Sequence, residues 1–305
     1  MLTNIFLSLF TLFLMENPVR PAISSDHDGY FFKTKNGCQL FVYDFRPKVE
    51  YNSTIFVLSG ITGINHVKEN DVIQLLSNQE NRVVVIHPRG TGYSEGKRGD
   101  IAYFPDFIND YVEIITQDPD YISKRHKVLL FGHSMSTAFT LAVAAKMDPV
   151  DGVILVNPPY MLKRAKGMSP DFRQYLKYSF YYLFARHVPV VDMGGNPAKI
   201  ENEEDRKDTE QKVNDPLLVK YFSLYYMIHS RRTMNAMVDY SRMADYPLLL
   251  IYGEKDSIVD KRGCDILFDA WKSAHEKYLL VENGTHGKST VMLSRDLIWR
   301  WMNEL

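Results

Sequence analysis

Six short apolar runs set what this chain can fold into: Thr54–Leu58 (TIFVL), Val83–Ile86 (VVVI), Val128–Phe131 (VLLF), Val153–Val156 (VILV), Leu248–Tyr252 (LLLIY) and Tyr278–Val281 (YLLV). None alternates with polar residues, as a strand with one wet face would, so each reads as a strand covered on both faces. Helix-like stretches separate most of them: Val67–Leu76, Phe104–Ile122, Thr137–Met147 and Ile266–Ala270, with Val291–Trp301 at the end. Strand alternating with helix predicts an α/β fold with a mostly parallel central sheet flanked by helices. Upstream, Asn36-Gly37 divides Tyr30–Lys33 from Gln39–Tyr43, which predicts a β-hairpin.

The rhythm stops between Val156 and Leu248, where no buried-strand run occurs. Tyr175, Tyr178 and Tyr182 stand at helical spacing there, as do Tyr221, Tyr225 and Ile228, so the interval reads as a helical cap inserted into the fold. Between them Glu201–Lys212 is a charge run, expected to be a solvated loop or helix face. The expected organisation is an apolar N-terminal segment over 1–24, a core over 25–157 and 246–305, and a cap over 158–245.

Charge narrows the partners. Thirty-six Lys and Arg against 37 Asp and Glu leave a net charge of −1, with no basic excess to neutralise phosphates, so nucleic acid is not expected. At 45% apolar and 24% charged residues the composition is globular, neither disordered nor that of a multi-span membrane protein. Cys38 and Cys264 lack metal-site spacing and read as buried thiols, with a disulfide open to an exported chain. Met1–Met15 is apolar and too short for a membrane span, with no Lys or Arg ahead of it. Three readings are open for it: an export signal, a membrane-surface anchor, or sequence upstream of a start at Met15. The first two place the protein outside the cell or at a membrane, the third in the cytoplasm.

Two serines stand in nucleophile-type motifs. Gly92-Tyr93-Ser94-Glu95-Gly96 matches G-x-S-x-G in full, whereas Gly132-His133-Ser134-Met135-Ser136 ends in serine. Such a nucleophile needs a strand, a sharp turn and a helix, with small residues where the chain passes close to itself. Ser94 lies well past its strand among Pro88, Gly90, Gly92, Gly96 and Gly99, in what reads as a loop. Ser134 follows VLLFGH directly and opens TAFTLAVAAK, a strong helix former. The imperfect motif is therefore the expected nucleophile.

A serine needs a base, and the base an orienting carboxylate. Both belong at later strand ends, acid before histidine. Leu248–Tyr252 leads into Gly253-Glu254-Lys255-Asp256, and Tyr278–Val281 into Glu282-Asn283-Gly284-Thr285-His286-Gly287. Asp256 and His286 are expected there. Glu254 sits nearer its strand, and Asp260 opens the next helical stretch. His275 precedes its strand, His133 packs or bonds locally, and His66 and His87 read as packing or surface residues. Backbone N–H groups of Met135, and of Ile61 in the Ser59–Gly63 loop, are the expected oxyanion donors.

Together these residues resemble the α/β-hydrolase superfamily, and within it the monoacylglycerol lipase and lysophospholipase-like branch grouped with serine aminopeptidase-type hydrolases. The branch shows R-G-x-G-x-S-E-G followed by a basic residue, here Arg89 through Lys97. Phe104, Phe107 and Asp110 continue the pattern, then GHSMS, Asn214-Asp215-Pro216-Leu217, Gly253 through Asp256, and Gly284 to His286. Departures are Ser59-Gly60 for the usual His-Gly, His87 for an Asp before the Pro-Arg-Gly turn, and Ser136 for the last elbow Gly.

The resemblance implies a carboxylic-ester hydrolase acting through an acyl-enzyme on Ser134, with no metal or organic cofactor. The expected partner is a small-molecule or lipid ester, with association at a membrane surface, and oligomeric state is left open. Aminopeptidase or thioesterase chemistry and a silent binding protein are the alternatives. For an aminopeptidase, Glu201, Glu203, Glu204 and Asp205 would be the cap carboxylates available to a substrate amine. Seven aromatics in Phe172–Phe184, among them Phe172, Tyr175, Tyr178 and Tyr182, suit an acyl-chain tunnel or a lipid-facing lid, or else pack the cap onto the sheet.

Overall fold

The computed structural model describes residues 29–63, 70–77, 80–163, 172–273 and 275–305. The strands are β1 (Gly29–Lys33), β2 (Gln39–Phe45), β3 (Ser53–Leu58), β4 (Asn81–Ile86), β5 (Lys127–His133), β6 (Gly152–Val156), β7 (Pro189–Asp192), β8 (Tyr221–Ser223), β9 (Leu248–Gly253) and β10 (Glu276–Val281). The helices are α1 (Asp71–Leu76), α2 (Pro105–Thr116), α3 (Pro119–Ser123), α4 (Ser136–Ala144), α5 (Phe172–Phe184), α6 (Glu203–Val213), α7 (Leu224–Asn235), α8 (Met237–Met243), α9 (Lys261–Ala270), α10 (Ser289–Leu293) and α11 (Arg295–Glu304).

Eight strands form one sheet in the order β1-β2-β4-β3-β5-β6-β9-β10. All neighbours from β4 to β10 run parallel; β2 is antiparallel to both β1 and β4. This is the mostly parallel, helix-flanked sheet that the alternating runs predict. Five of the six apolar runs are continuous because both faces are covered; the sixth, in β10, is the edge strand of the sheet and is only partly covered, with Leu280 exposed. In β3, Phe56 and Leu58 enter one core with Phe107 and Tyr111 of α2 and Phe139 of α4. Ile55 and Val57 enter the other with Ile73 of α1 and Ile298 and Trp301 of α11. Helix α4 is buried along its whole length, so its start, next to Ser134, is fixed by packing.

Several expectations change at the element level. The helix expected over Phe104–Ile122 is broken into α2 and α3. Asp118 leaves the helix to accept from Arg82 Nη1 at 2.8 Å and Nη2 at 2.9 Å, and Pro119 has no N–H to continue the ladder. The stretch Val291–Trp301 divides at Ser294 into α10 and α11. The insertion between β6 and β9 is not wholly helical: β7 and β8 pair antiparallel within it. The charge run forms α6 but is not solvated throughout, since Asp205 is buried. Both cysteines are free thiols, Cys264 buried and Cys38 half-buried. Met1–Met15 and His66 lie outside the described residues, and among those described no helix is long and apolar enough to cross a membrane.

Candidate active site

Strand β5 ends at His133, and the chain reverses within one residue before α4. Ser134 makes that reversal at φ 55°, in the left-handed region that L-residues seldom adopt. Its N–H donates to Val156 O at 2.8 Å, which ties the turn to β6. A Cβ on Gly132 would collide with Thr140 and the backbone of Thr137, so the residue two before the serine must be glycine. Position 136 tolerates serine because its hydroxyl closes the turn: Ser136 Oγ accepts from His133 N at 2.8 Å and donates to His133 O at 2.9 Å.

The strained turn points Ser134 Oγ at His286 Nε2, 2.7 Å away. His286 Nδ1 lies 2.7 Å from Asp256 Oδ2. The other carboxylate oxygen, Asp256 Oδ1, accepts from the N–H groups of Ile258 at 2.7 Å and Val259 at 2.8 Å. Burial alone would raise the Asp256 pKa, but its bonds to His286, Val259 and Ile258 outweigh burial and hold it below the usual carboxylate range. Asp256 therefore stays ionised and fixes the proton of the imidazole on Nδ1, leaving Nε2 as the acceptor facing the serine. Lys163 donates to the Asp256 carbonyl.

The acid and histidine turns close on each other. Lys255 N donates to Gly284 O at 2.8 Å and Glu254 N to Val281 O at 3.0 Å. Gly253 and Gly284 pack so tightly that a Cβ on either would strike the other loop or Thr290. Of the competing residues, Glu254 and Asp260 are turned elsewhere: Glu254 Oε2 meets Asn283 N, and Asp260 binds Arg262. His275 lies at the other end of the sheet, accepting from Leu248 N at the start of β9. His133 reaches the site from behind, with Nε2 2.7 Å from the main-chain oxygen of His286. Burial, and then the neighbouring His286, push its pKa down to about 3, so the ring is a neutral donor.

Met135 directly follows Ser134, and Ile61 lies buried in a tight turn closed by Gly63 N to Gly60 O at 3.0 Å. Among the described residues neither of these two backbone N–H groups has a protein acceptor. Ser94 is elsewhere. It is 3% exposed, donates to His87 O at 2.6 Å and accepts from Phe41 N at 2.8 Å.

The aromatic residues of α5 are not gathered into an enclosed tunnel. Phe172, Tyr175 and Tyr182 are exposed and Tyr178 is half-buried. The physical reason is number: one helix cannot turn seven aromatic side chains toward a single neighbour, and α5 packs chiefly on α7. Two residues with direct hold on the site carried no motif signal. Asn157 binds the acid and histidine turns. Asp205, within the charge run, accepts from Thr285, next to His286, and a Cβ on Gly287 would run into its carboxylate.

A model of the family described as Hydrolase_4, serine aminopeptidase S33, matches residues 50–288. The monoglyceride lipase of Rattus norvegicus is 25% identical over 258 residues, covering 82% of this chain and 80% of the relative. Among solved structures, a soluble variant of monoglyceride lipase from Saccharomyces cerevisiae superposes with a TM-score of 0.74 at 15% identity, covering 93% of this chain and 98% of the other. The monoacylglycerol lipase of Paleococcus ferrophilus gives 0.65 at 18% identity, covering 86% and 98%.

Proposed function

Because the chain belongs to the Hydrolase_4 family, the serine aminopeptidase S33 group of α/β hydrolases, and is a serine ester hydrolase of that kind, we propose that it cleaves lipid-derived esters, monoacylglycerols first, through an acyl-enzyme on Ser134. The observation that carries this reading is the hydrogen-bonded chain from Ser134 Oγ through His286 to Asp256, both links 2.7 Å.

His286 Nε2 takes the hydroxyl proton as Ser134 Oγ attacks the acyl carbon. Asp256 holds Nδ1–H and stabilises the imidazolium that forms. The N–H groups of Ile61 and Met135 receive the oxyanion, where each donor is worth roughly 10²–10³ in rate. The imidazolium then protonates the departing alcohol. Water, deprotonated by the same imidazole, releases the acid and restores the serine.

The choice of a lipid ester is supported by the name of the rat relative and by α5. Phe172, Leu176, Phe180 and Phe184 recur every four residues and are exposed at 75%, 52%, 43% and 75%, with Leu183 beside them at 70%. A surface helix this apolar is suited to lie against a lipid surface, with the insertion as a cap that receives lipid from it. Vesicle co-sedimentation tests that: Leu183→Ser with Phe184→Ser is expected to lower binding several-fold and leave hydrolysis of soluble short-chain esters intact.

A fluorophosphonate probe tests the chemistry. It is expected to label the parent and not Ser134→Ala. Monoacylglycerols of graded chain length, run beside aminoacyl amides, then separate lipase from aminopeptidase. Labelling that survives Ser134→Ala would overturn the assignment.

A further inference from the structure

We propose that Asn157 is a positioning residue of the hydrolytic site, setting the spacing between the acid turn and the histidine turn so that His286 faces Ser134. It rests on the reading of His286 as the base. Asn157 is the first residue past β6 and is fully buried. Its φ is 49°, in the left-handed region that asparagine enters more readily than most L-residues. Its N–H donates to Ile251 O at 2.9 Å, which anchors its own backbone to β9.

Every polar atom of the side chain is directed at the site. Oδ1 accepts from Gly253 N at 2.8 Å. Gly253 O in turn accepts from Asp256 N at 3.0 Å, so the bond reaches the acid turn at its root. Nδ2 donates to Thr285 O at 2.9 Å and meets His286 O at 3.4 Å. His133 Nε2 approaches that same His286 oxygen at 2.7 Å. The main-chain oxygen of His286 is thus held by two side chains, while the hydrogen bonds of its ring run to Ser134 and Asp256.

The donor and acceptor pattern calls for an amide. One end must accept from an N–H and the other must donate to carbonyl oxygens. Leucine has the shape without the bonds. Aspartate keeps the acceptor for Gly253 N but turns a second oxygen toward two carbonyls. Serine is too short to span both turns. Asn157 touches no reacting atom, so its effect runs through the orientation of His286.

The test uses the full chain and a soluble p-nitrophenyl ester. Asn157→Leu and Asn157→Asp are each made alone and combined with His286→Ala, with thermal midpoints recorded throughout. The expected result is a roughly 10–100-fold loss of kcat in the folded single variants with KM within about twofold, since misplacement by an ångström costs on this scale. On top of His286→Ala, the further loss is expected to be under about twofold, because nothing is left to position. A full further loss in that background, or wild-type kcat in both folded variants, overturns the proposal. If Asn157→Leu does not fold, the isosteric Asn157→Asp decides by the same criteria. His286→Ala alone keeping full activity would instead overturn the assignment of the base.

Discussion

Two loops of this protein carry a serine two residues after a glycine and one after a bulky residue, and their surroundings give them opposite uses. In the loop around Ser94 the hydroxyl is closed off between His87 O and Phe41 N, both main-chain groups. In the turn around Ser134 the hydroxyl meets an imidazole. The glycines differ as well. Gly92, at φ 49°, makes room for the His87 ring, and Gly90 and Gly96 let residues 89–97 fold back on themselves. Gly132 lets β5 turn into α4. Small residues around a serine therefore signal a tight chain, and the element that follows says why it is tight.

The largest expected effect sharpens that contrast. Ser134→Ala is expected to cut ester hydrolysis by roughly 10⁴-fold or more, as removal of an activated nucleophile does. Ser94→Ala is expected to retain most of the activity and to lose about 1–3 kcal/mol of stability, because the two hydrogen bonds of its buried hydroxyl, to His87 O and from Phe41 N, are removed. Initial rates and urea unfolding on both variants check this. Equal loss of rate in two folded variants would erase the distinction between the loops.

The same contrast shows what was legible in the sequence. The central strands of the main sheet were, because a strand buried on both faces must be apolar without interruption, a local property; the short β7 and β8 of the insertion, which carry no such run, were not. Ser134, Asp256 and His286 were named from their places past strand ends, and the structure brings those three side chains into contact. Asn157 was not legible, since its partners lie 96 and 128 residues away. Nor was the burial of Asp205, which depends on Thr285, 80 residues on. The break at Asp118 answers to Arg82, 36 residues earlier. On α5, aromatic spacing identified a helix, but which face meets solvent is set by α7 and not by the spacing.

The Ser94 loop has its own task, and a second prediction separates it from the elbow. Its far end seats the insertion. Arg98 Nη2 donates to Leu217 O at 2.7 Å and Leu218 O at 3.2 Å, and Lys97 Nζ to His187 O at 2.6 Å. Asp100 Oδ1 accepts from Ser223 Oγ at 2.6 Å, and Ser223 N donates to Gly99 O at 2.8 Å. Arg98→Ala removes two part-buried, charge-assisted bonds, each worth about 1.5 kcal/mol. It is expected to loosen the insertion and lower kcat/KM for long-chain monoacylglycerol about 3–10-fold, while a short soluble ester changes less than twofold. That split is the mark of binding energy drawn from parts of the substrate remote from the reacting bond. Equal losses on both substrates would mean that the loop supports the reacting groups themselves.

The smallest effect concerns the histidine that each motif holds without using as a base. Beside Ser94, His87 Nδ1 accepts from Tyr93 N at 3.2 Å and the ring is fully buried. Beside Ser134, His133 offers Nε2 to the His286 carbonyl and has its pKa depressed to about 3 from 6.5. A depressed pKa means that below pH 6.5 the unfolded chain binds a proton that the folded chain refuses until about pH 3. Folding stability from this residue is therefore intact above pH 6.5 and declines as pH falls toward 3, by at most about 1.4 kcal/mol per pH unit. His133→Gln keeps an N–H donor and removes the titration. Its thermal midpoint is expected to fall less steeply than the parent's between about pH 6.5 and 4.5, with the two curves closest in slope above about pH 7. Parallel curves over the acid range would mean that His133 takes up its proton in the folded protein, and the elbow histidine would then be a solvated side chain and not a neutral support beneath His286.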